Sequence, residues 1–305
     1  MGLLHLAAAL ALPGADGAGP YVELARLAER GGFDFVTLDG ADFGLNAPAV
    51  LGRMADATDH VGLVGPLTRP PTEPPTGTDA AYGAESDAES RAEAVAPGRV
   101  GRWIDVSAGG VGVASGELFG SPPAPGRPVR VADATEAAVR PAAARYADVA
   151  LVRVAGSAEA RAVRADLRGQ AAAAGRDPDS LRVLVSLLVD LGDGEHAAEP
   201  GHGGGGPRRT GRGPLYRGGP VDLAELIASW HRDAAVDGFH LVPVEPHRDL
   251  ERLVNGTVAL LQHRGLFRTF YPGGTLREHL DLARPAHQYA GGPSLLGSSD
   301  PVPKG

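Results

Sequence analysis

The sequence predicts a (β/α)8 TIM-type barrel. Eight short apolar runs recur along the chain, and segments of helical period lie between most of them, which is the pattern of βα units around a parallel sheet. The length of 305 residues suits a fold whose usual size is about 250. The pattern thins out around strands three to five, so the barrel is expected to be incomplete there.

The opening stretch, MGLLHLAAALALPGADG, has no Lys or Arg before its apolar run. That run covers only Leu3 to Leu12, too short to cross a bilayer and without the basic flank of a leader. It is read as a first strand at 4–10, LHLAAAL. The following helix, 20–31, starts on Pro20 and stops at Gly31-Gly32, matching the preference for proline at the start and glycine past the end. Strand two is FDFVTL at 33–38, helix two spans 47–58, and strand three is HVGLV at 60–64. Residues 66–98 are Pro/Thr-rich, then acidic and Ala-rich, and are read as a flexible loop.

Strand four is RWIDVS at 102–107. Residues 108–127 connect it to the next strand without a helical pattern; a parallel crossover needs about a dozen residues, so the link is feasible but lacks its covering helix. Strands five to seven are PVRVA at 128–132, DVALVRV at 148–154 and LRVLVSLLV at 181–189, with helices at 134–146 and 157–174. Residues 191–220 are dominated by glycine and read as a second flexible loop with little to pack. Helix 221–235, strand eight (GFHLV, 238–242) and helix 247–264 complete the count. A single domain over 1–290 and a disordered tail at 291–305 are expected.

Composition narrows the chemistry. Hydrophobic residues make up 43% but aromatics only 5%, so the core must rest on Ala, Val and Leu. Zero cysteines exclude disulfides, thiolate metal sites and cysteine nucleophiles. The formal charge of -8 argues against nucleic acid as a partner. Lys304 is the only lysine, which excludes internal Schiff-base chemistry and a phosphate-loop lysine. The Gly203–Gly206 run lacks the ending of a phosphate loop and reads as linker. The ten histidines form no HExxH and no His-x-His pair, so no metal site is expected. No membrane span is expected either.

Barrel active sites gather at the C-terminal ends of the strands. The residues placed there are Asp39 and Asp42 after strand two, Thr68 after strand three, Trp103, Asp105 and Ser107 in strand four, and Asp133 and Thr135 after strand five. Asp133 or Thr135 has an alternative role as a cap for helix 134–146. His5 reads equally as a core or a site histidine. His240, near the end of strand eight, is placed for chemistry, with a hydrogen-bonded structural role as the alternative.

The segments DGFHLVP (237–243) and LLQHRGLFRTFYPGGTLREHLDLARPAHQY (260–289) resemble the closing signature of the luciferase-like flavin monooxygenases. The similarity is to the subgroup of nitrilotriacetate and dibenzothiophene-sulfone monooxygenases. YVELARLAERGGFDFVTLDG (21–40), MADATDHVGLV (54–64), GRVGRWIDVSAG (98–109), AAARYADVALV (142–152) and GGPVDLAELIASW (218–230) are similar in the same order. The resemblance implies a (β/α)8 barrel, reduced FMN from a separate flavin reductase, molecular oxygen, a small organic substrate, a homodimer and a cytoplasmic setting.

Measured against that family the chain is shortened and partly degenerate. Thr68 keeps the family's threonine, but the histidine position falls on Thr76, and Trp103 stands where the family has asparagine. The family's small phosphate loop has become Ala132-Asp133-Ala134-Thr135-Glu136. Repulsion of a phosphate by Asp133 and Glu136 would cost about 1 kcal/mol per pair, so FMN is expected to bind weakly. Two functions follow: an active flavin-dependent monooxygenase contacting ligand through Asp39, Thr68, Trp103, Asp105, Ser107 and Thr135, or a paralogue without redox flavin, acting as a partner subunit or in a non-redox step.

Overall fold

A computed structural model describes residues 3–12, 17–38, 47–65, 98–104, 106, 128–192 and 206–282. Its strands are β1 (His5–Leu10), β2 (Phe35–Leu38), β3 (Gly62–Gly65), β4 (Val100–Trp103), β5 (Val129–Asp133), β6 (Val149–Val152) and β7 (Arg182–Asp190). They are followed by β8 (Arg208–Thr210), β9 (Gly213–Arg217) and β10 (Gly238–Pro243). Strands β1 to β7 run parallel in chain order, and β10 pairs in parallel with both β7 and β1. That double pairing closes an eight-stranded barrel.

Helices α1 (Gly19–Arg30), α2 (Ala47–Ala55), α3 (Arg140–Tyr146), α4 (Ser157–Ala173) and α5 (Pro220–Arg232) follow β1, β2, β5, β6 and β9. After β10 come α6 (Pro246–Arg252), a π-helical turn (Leu253–Val258), α7 (Ala259–His263) and α8 (Leu276–His279).

Side chains alternate across a strand with period two, and that alternation sorts the core into two layers. Leu6, Ala8 and Leu10 of β1, with Val183, Val185 and Leu187 of β7, pack outward against residues such as Leu24, Ala28 and Leu167 of the helices. Ala7, Phe35, Val64, Val129, Val131, Val149, Leu151 and Leu184 fill the barrel interior.

A C-terminal plug seals the N-terminal end of the barrel. Leu276, Leu280 and Leu282 join the interior cluster, and a capping box between Thr275 and Glu278 starts the short α8. The Leu276 N–H donates to the Gly98 carbonyl before β4, and Arg182 at the start of β7 donates to the Leu280 carbonyl. Gly62 and Gly101 face this plug. A Cβ at Gly62 would lie 2.7 Å from Leu276 Cδ1, and one at Gly101 would lie 2.9 Å from Val64 Cγ2.

Three expectations are corrected. The barrel wall is complete at strands three to five, because β4 pairs with β3 and β5; the connections at 66–97 and 107–127 lie outside the described residues. Strand four starts at Val100, two residues before the expected 102, and runs to Trp103; Asp105 and Ser107 of the expected strand lie outside the described residues. The stretch expected to be an unpacked loop, 191–220, contains the antiparallel hairpin β8–β9. β9 adds in parallel to the end of β7, Leu188 opposite Leu215, and Tyr216 is fully buried with its hydroxyl donating to the Gly219 carbonyl. Residues 193–205 and the tail 283–305 lie outside the described residues.

Candidate active site

At the C-terminal end of the barrel lies a cavity of about 400 Å³, within the usual range for a small-molecule site. Its walls are the inward positions at the upper ends of the strands: Ala9, Thr37, Trp103, Asp133, Leu151, Ser186, Leu188, His240 and Val242, with Arg153 just past β6. The turn of the hairpin, Gly211 to Pro214, supplies one side. Gly213 holds φ +129°, and a Cβ there would sit 3.3 Å from Arg153 Cδ; the glycine lets the turn close onto the arginine stem.

Three polar side chains, from β2, β7 and β10, meet at the cavity floor. His240 Nε2 lies 2.9 Å from Thr37 Oγ1, and Nδ1 lies 3.0 Å from Ser186 Oγ. Ser186 and His240 are opposite one another on neighbouring strands. Thr37 lies on the far side of β1, whose inward residues Ala7 and Ala9 leave the imidazole room to cross. Burial, seconded by the positive charge of Arg153, pushes the His240 pKa down to about 4, against a smaller upward pull from Asp133. The ring is therefore neutral at physiological pH, with one nitrogen donating and the other accepting.

The rim carries the charge. Asp133 Oδ2 pairs with Arg153 Nη2 at 2.8 Å, and Asp133 Oδ1 accepts the Thr135 N–H at 2.9 Å. The Thr135 hydroxyl accepts the Arg153 backbone N–H at 3.1 Å. At the head of α4 the Ala155 N–H donates to Glu159, which also holds Arg209 of the hairpin at 2.6 Å. Helix N-termini of this kind ordinarily receive anions; here the chain's own carboxylates already accept these donors.

The candidate residues fare differently. Trp103 lines the cavity and packs against the interior cluster. Thr135 does not line it; its hydroxyl ties the β5 turn to the end of β6. Asp39, Thr68, Asp105 and Ser107 lie outside the described residues. His5 is at the opposite end of the barrel, where its Nδ1 meets Asp34 at 3.1 Å. Asp34 is fully buried, which raises its pKa, but Arg268 and His5 outweigh that and hold it below the ordinary value. This cluster also takes the Leu6 N–H and is structural. Among the described residues no group of His, Asp and Glu could hold a metal ion, and no helix is long and apolar enough to cross a membrane.

The residues suit a planar, partly apolar ligand. Trp103, Leu151, Leu188 and Val242 offer apolar walls, and the Thr37–His240–Ser186 cluster offers neutral hydrogen bonding. They suit a flavin ring better than its phosphate, because the Thr135 and Ala155 N–H groups are engaged by Asp133 and Glu159.

A luciferase-like monooxygenase family model matches residues 111–255. Nitrilotriacetate monooxygenase component A from Aminobacter aminovorans is 42% identical over 73 residues, covering 24% of this chain and 16% of that protein. N-acetyl-S-(2-succino)cysteine monooxygenase from Bacillus subtilis is 40% identical over 76 residues, covering 25% of this chain and 17% of that protein. These matched segments span about a sixth of either relative. Among solved structures, EDTA monooxygenase from Chelativorans sp. BNC1 superposes with a TM-score of 0.71 at 18% identity, over 93% of this chain and 99% of that one. A riboflavin lyase with modified FMN and riboflavin gives 0.68 at 14% identity, over 92% and 96%.

Proposed function

We propose that this chain, which a luciferase-like monooxygenase family model matches over residues 111–255, is a member of that family and a flavin-dependent monooxygenase acting on a small organic molecule at the C-terminal mouth of the barrel. The observation that carries the proposal is the cavity itself, apolar along Trp103, Leu151, Leu188 and Val242 and neutral-polar at Thr37, His240 and Ser186. Reduced FMN, when bound, supplies two electrons to dioxygen, so that one oxygen atom enters the substrate and the other leaves as water. The protein's own contribution is a dry, shaped space and fixed hydrogen bonds. Apolar walls exclude water, the cluster at the floor orients the ring, and Trp103 offers a face against it. Asp39, Thr68, Asp105 and Ser107 belong to the proposed rim.

The phosphate end is proposed to be held loosely. Asp133 and Glu159 engage the nearby donors, so the cofactor exchanges freely and arrives reduced from a separate flavin reductase, a reading supported by one relative's name, nitrilotriacetate monooxygenase component A. A homodimer and a cytoplasmic setting belong to the same reading. The engaged donors also favour a second reading, a paralogue that binds its small molecule without redox flavin.

Rapid mixing of photoreduced FMN with oxygenated buffer, with and without the protein, separates the two. A monooxygenase changes the rate of flavin reoxidation in proportion to protein concentration. A rate independent of the protein at saturating concentrations overturns the flavin reading and leaves the second.

A further inference from the structure

We infer that the Thr37–His240–Ser186 cluster is a directed hydrogen-bond donor, in which Thr37 and His240 fix the Ser186 hydroxyl proton toward an electronegative oxygen or nitrogen of the bound molecule. This holds whether or not that molecule is a flavin.

The argument starts from proton counting. A neutral imidazole carries one N–H, so one of its two hydroxyl neighbours must donate to the ring and the other must accept from it. Two arrangements exist. In one, Thr37 donates to Nε2, Nδ1–H donates to Ser186, and the Ser186 proton is free to point elsewhere. In the other, Nε2–H donates to Thr37, Ser186 donates to Nδ1, and Thr37 must place its own proton.

Burial decides between them. Thr37 is 1% exposed, and among the described residues its hydroxyl has His240 as its hydrogen-bond partner. In the second arrangement its proton would have to be placed from a position on the cavity wall that solvent barely reaches, at a greater cost of desolvation than at the more exposed Ser186. Ser186 is half-buried and on the cavity wall, where a ligand or water can take its proton. The first arrangement satisfies all three groups and leaves one donor, aimed into the cavity. The low His240 pKa keeps the ring neutral, so the arrangement persists across the physiological range. Ser186 is then the ligand-contacting residue, while Thr37 and His240 are positioning residues.

The consequence is a preference in ligand chemistry: the floor of the cavity selects an acceptor, such as a carbonyl oxygen, an imine-type ring nitrogen or an oxyanion, over a donor. Nitrogen-15 NMR of histidine-labelled protein reads the His240 tautomer directly, with His240→Gln assigning the signal. The expected result is the Nδ1–H tautomer in the wild type, lost or mixed in Thr37→Val. A wild-type Nε2–H tautomer overturns the inference, because Ser186 would then present lone pairs rather than a proton.

Binding supplies the second readout, with riboflavin as the probe because it lacks the phosphate. Ser186→Ala is expected to weaken riboflavin about five- to tenfold, Ser186→Thr to restore most of it, and the tautomer to stay unchanged in Ser186→Thr. Riboflavin binding that is equal in wild type and Ser186→Ala overturns the inference even with the expected tautomer. If the wild type binds no riboflavin, the flavin reading fails separately and the tautomer alone decides this one.

Discussion

Asp133 and Arg153, at the ends of neighbouring strands, join their side chains at 2.8 Å on the rim of the cavity. The pair changes what the acidic turn after β5 means. Read along the chain, Asp133 and Glu136 are two bare negative charges. In the fold Asp133 is compensated by Arg153 and also accepts the Thr135 N–H, so it fills the place of an anion rather than simply repelling one. Both side chains are about half-exposed, 43% and 50%, so the pair adds no more than about 1 kcal/mol to stability.

Asp133→Asn keeps the acceptor for Thr135 and removes the charge. It is expected to strengthen FMN binding about fivefold, equivalent to roughly 1 kcal/mol, with riboflavin affinity unchanged. Paired fluorescence titrations with the two flavins check this. An equal gain for both would place the phosphate away from Asp133.

His240 gives a pH signature. Its folded pKa, about 4, lies below the unfolded value of about 6.5, so the unfolded state binds the proton first. Stability from this group is complete above about pH 6.5 and falls as pH drops toward 4. The loss is on the order of 3 kcal/mol across that window. The charged groups facing the ring are Arg153 and Asp133. Denaturant melts of wild type and His240→Gln at several pH values between 4 and 7 should differ in slope by that amount. Parallel curves would mean that His240 takes up its proton as readily in the folded as in the unfolded state.

Most of the fold was legible because strand runs such as FVTL and LRVLVSLLV are bounded by turn residues and spaced by helices. The hairpin was not. Its strands contain two buried side chains, Pro214 and Tyr216, and their order comes from pairing with β7, a tertiary contact that glycine-rich composition conceals. The site was half legible. Trp103 and His240 are placed for chemistry by their positions in strands four and eight, but Thr37 and Ser186 are 203 and 54 residues from His240 and meet it only when β7, β10, β1 and β2 come round the barrel. A signal did exist for two of the three cluster residues: Thr37 in FVTL and His240 in GFHLVP are the single polar side chains of otherwise apolar strands.

The plug offers a test of the interior packing. Leu276 is fully buried, and Leu276→Ala is expected to cost about 2–5 kcal/mol. Gly62→Ala should also destabilise, since its new Cβ would come within 2.7 Å of Leu276 Cδ1. The two effects are coupled. Gly62→Ala should cost less in the Leu276→Ala background, by about 0.5 kcal/mol or more, in urea melts of the four-protein cycle. Strict additivity would remove Leu276 from the Gly62 contact.

The central claim is that reduced flavin occupies the cavity at the mouth of the barrel. Anaerobic titration of photoreduced FMN into the wild type and into Ala9→Phe, which fills the space beside Thr37 and His240, tests it most directly. The account predicts saturable binding to the wild type and binding at least tenfold weaker in the variant, with circular dichroism of the two proteins alike. No binding to the wild type, or equal affinity in the two, would contradict it.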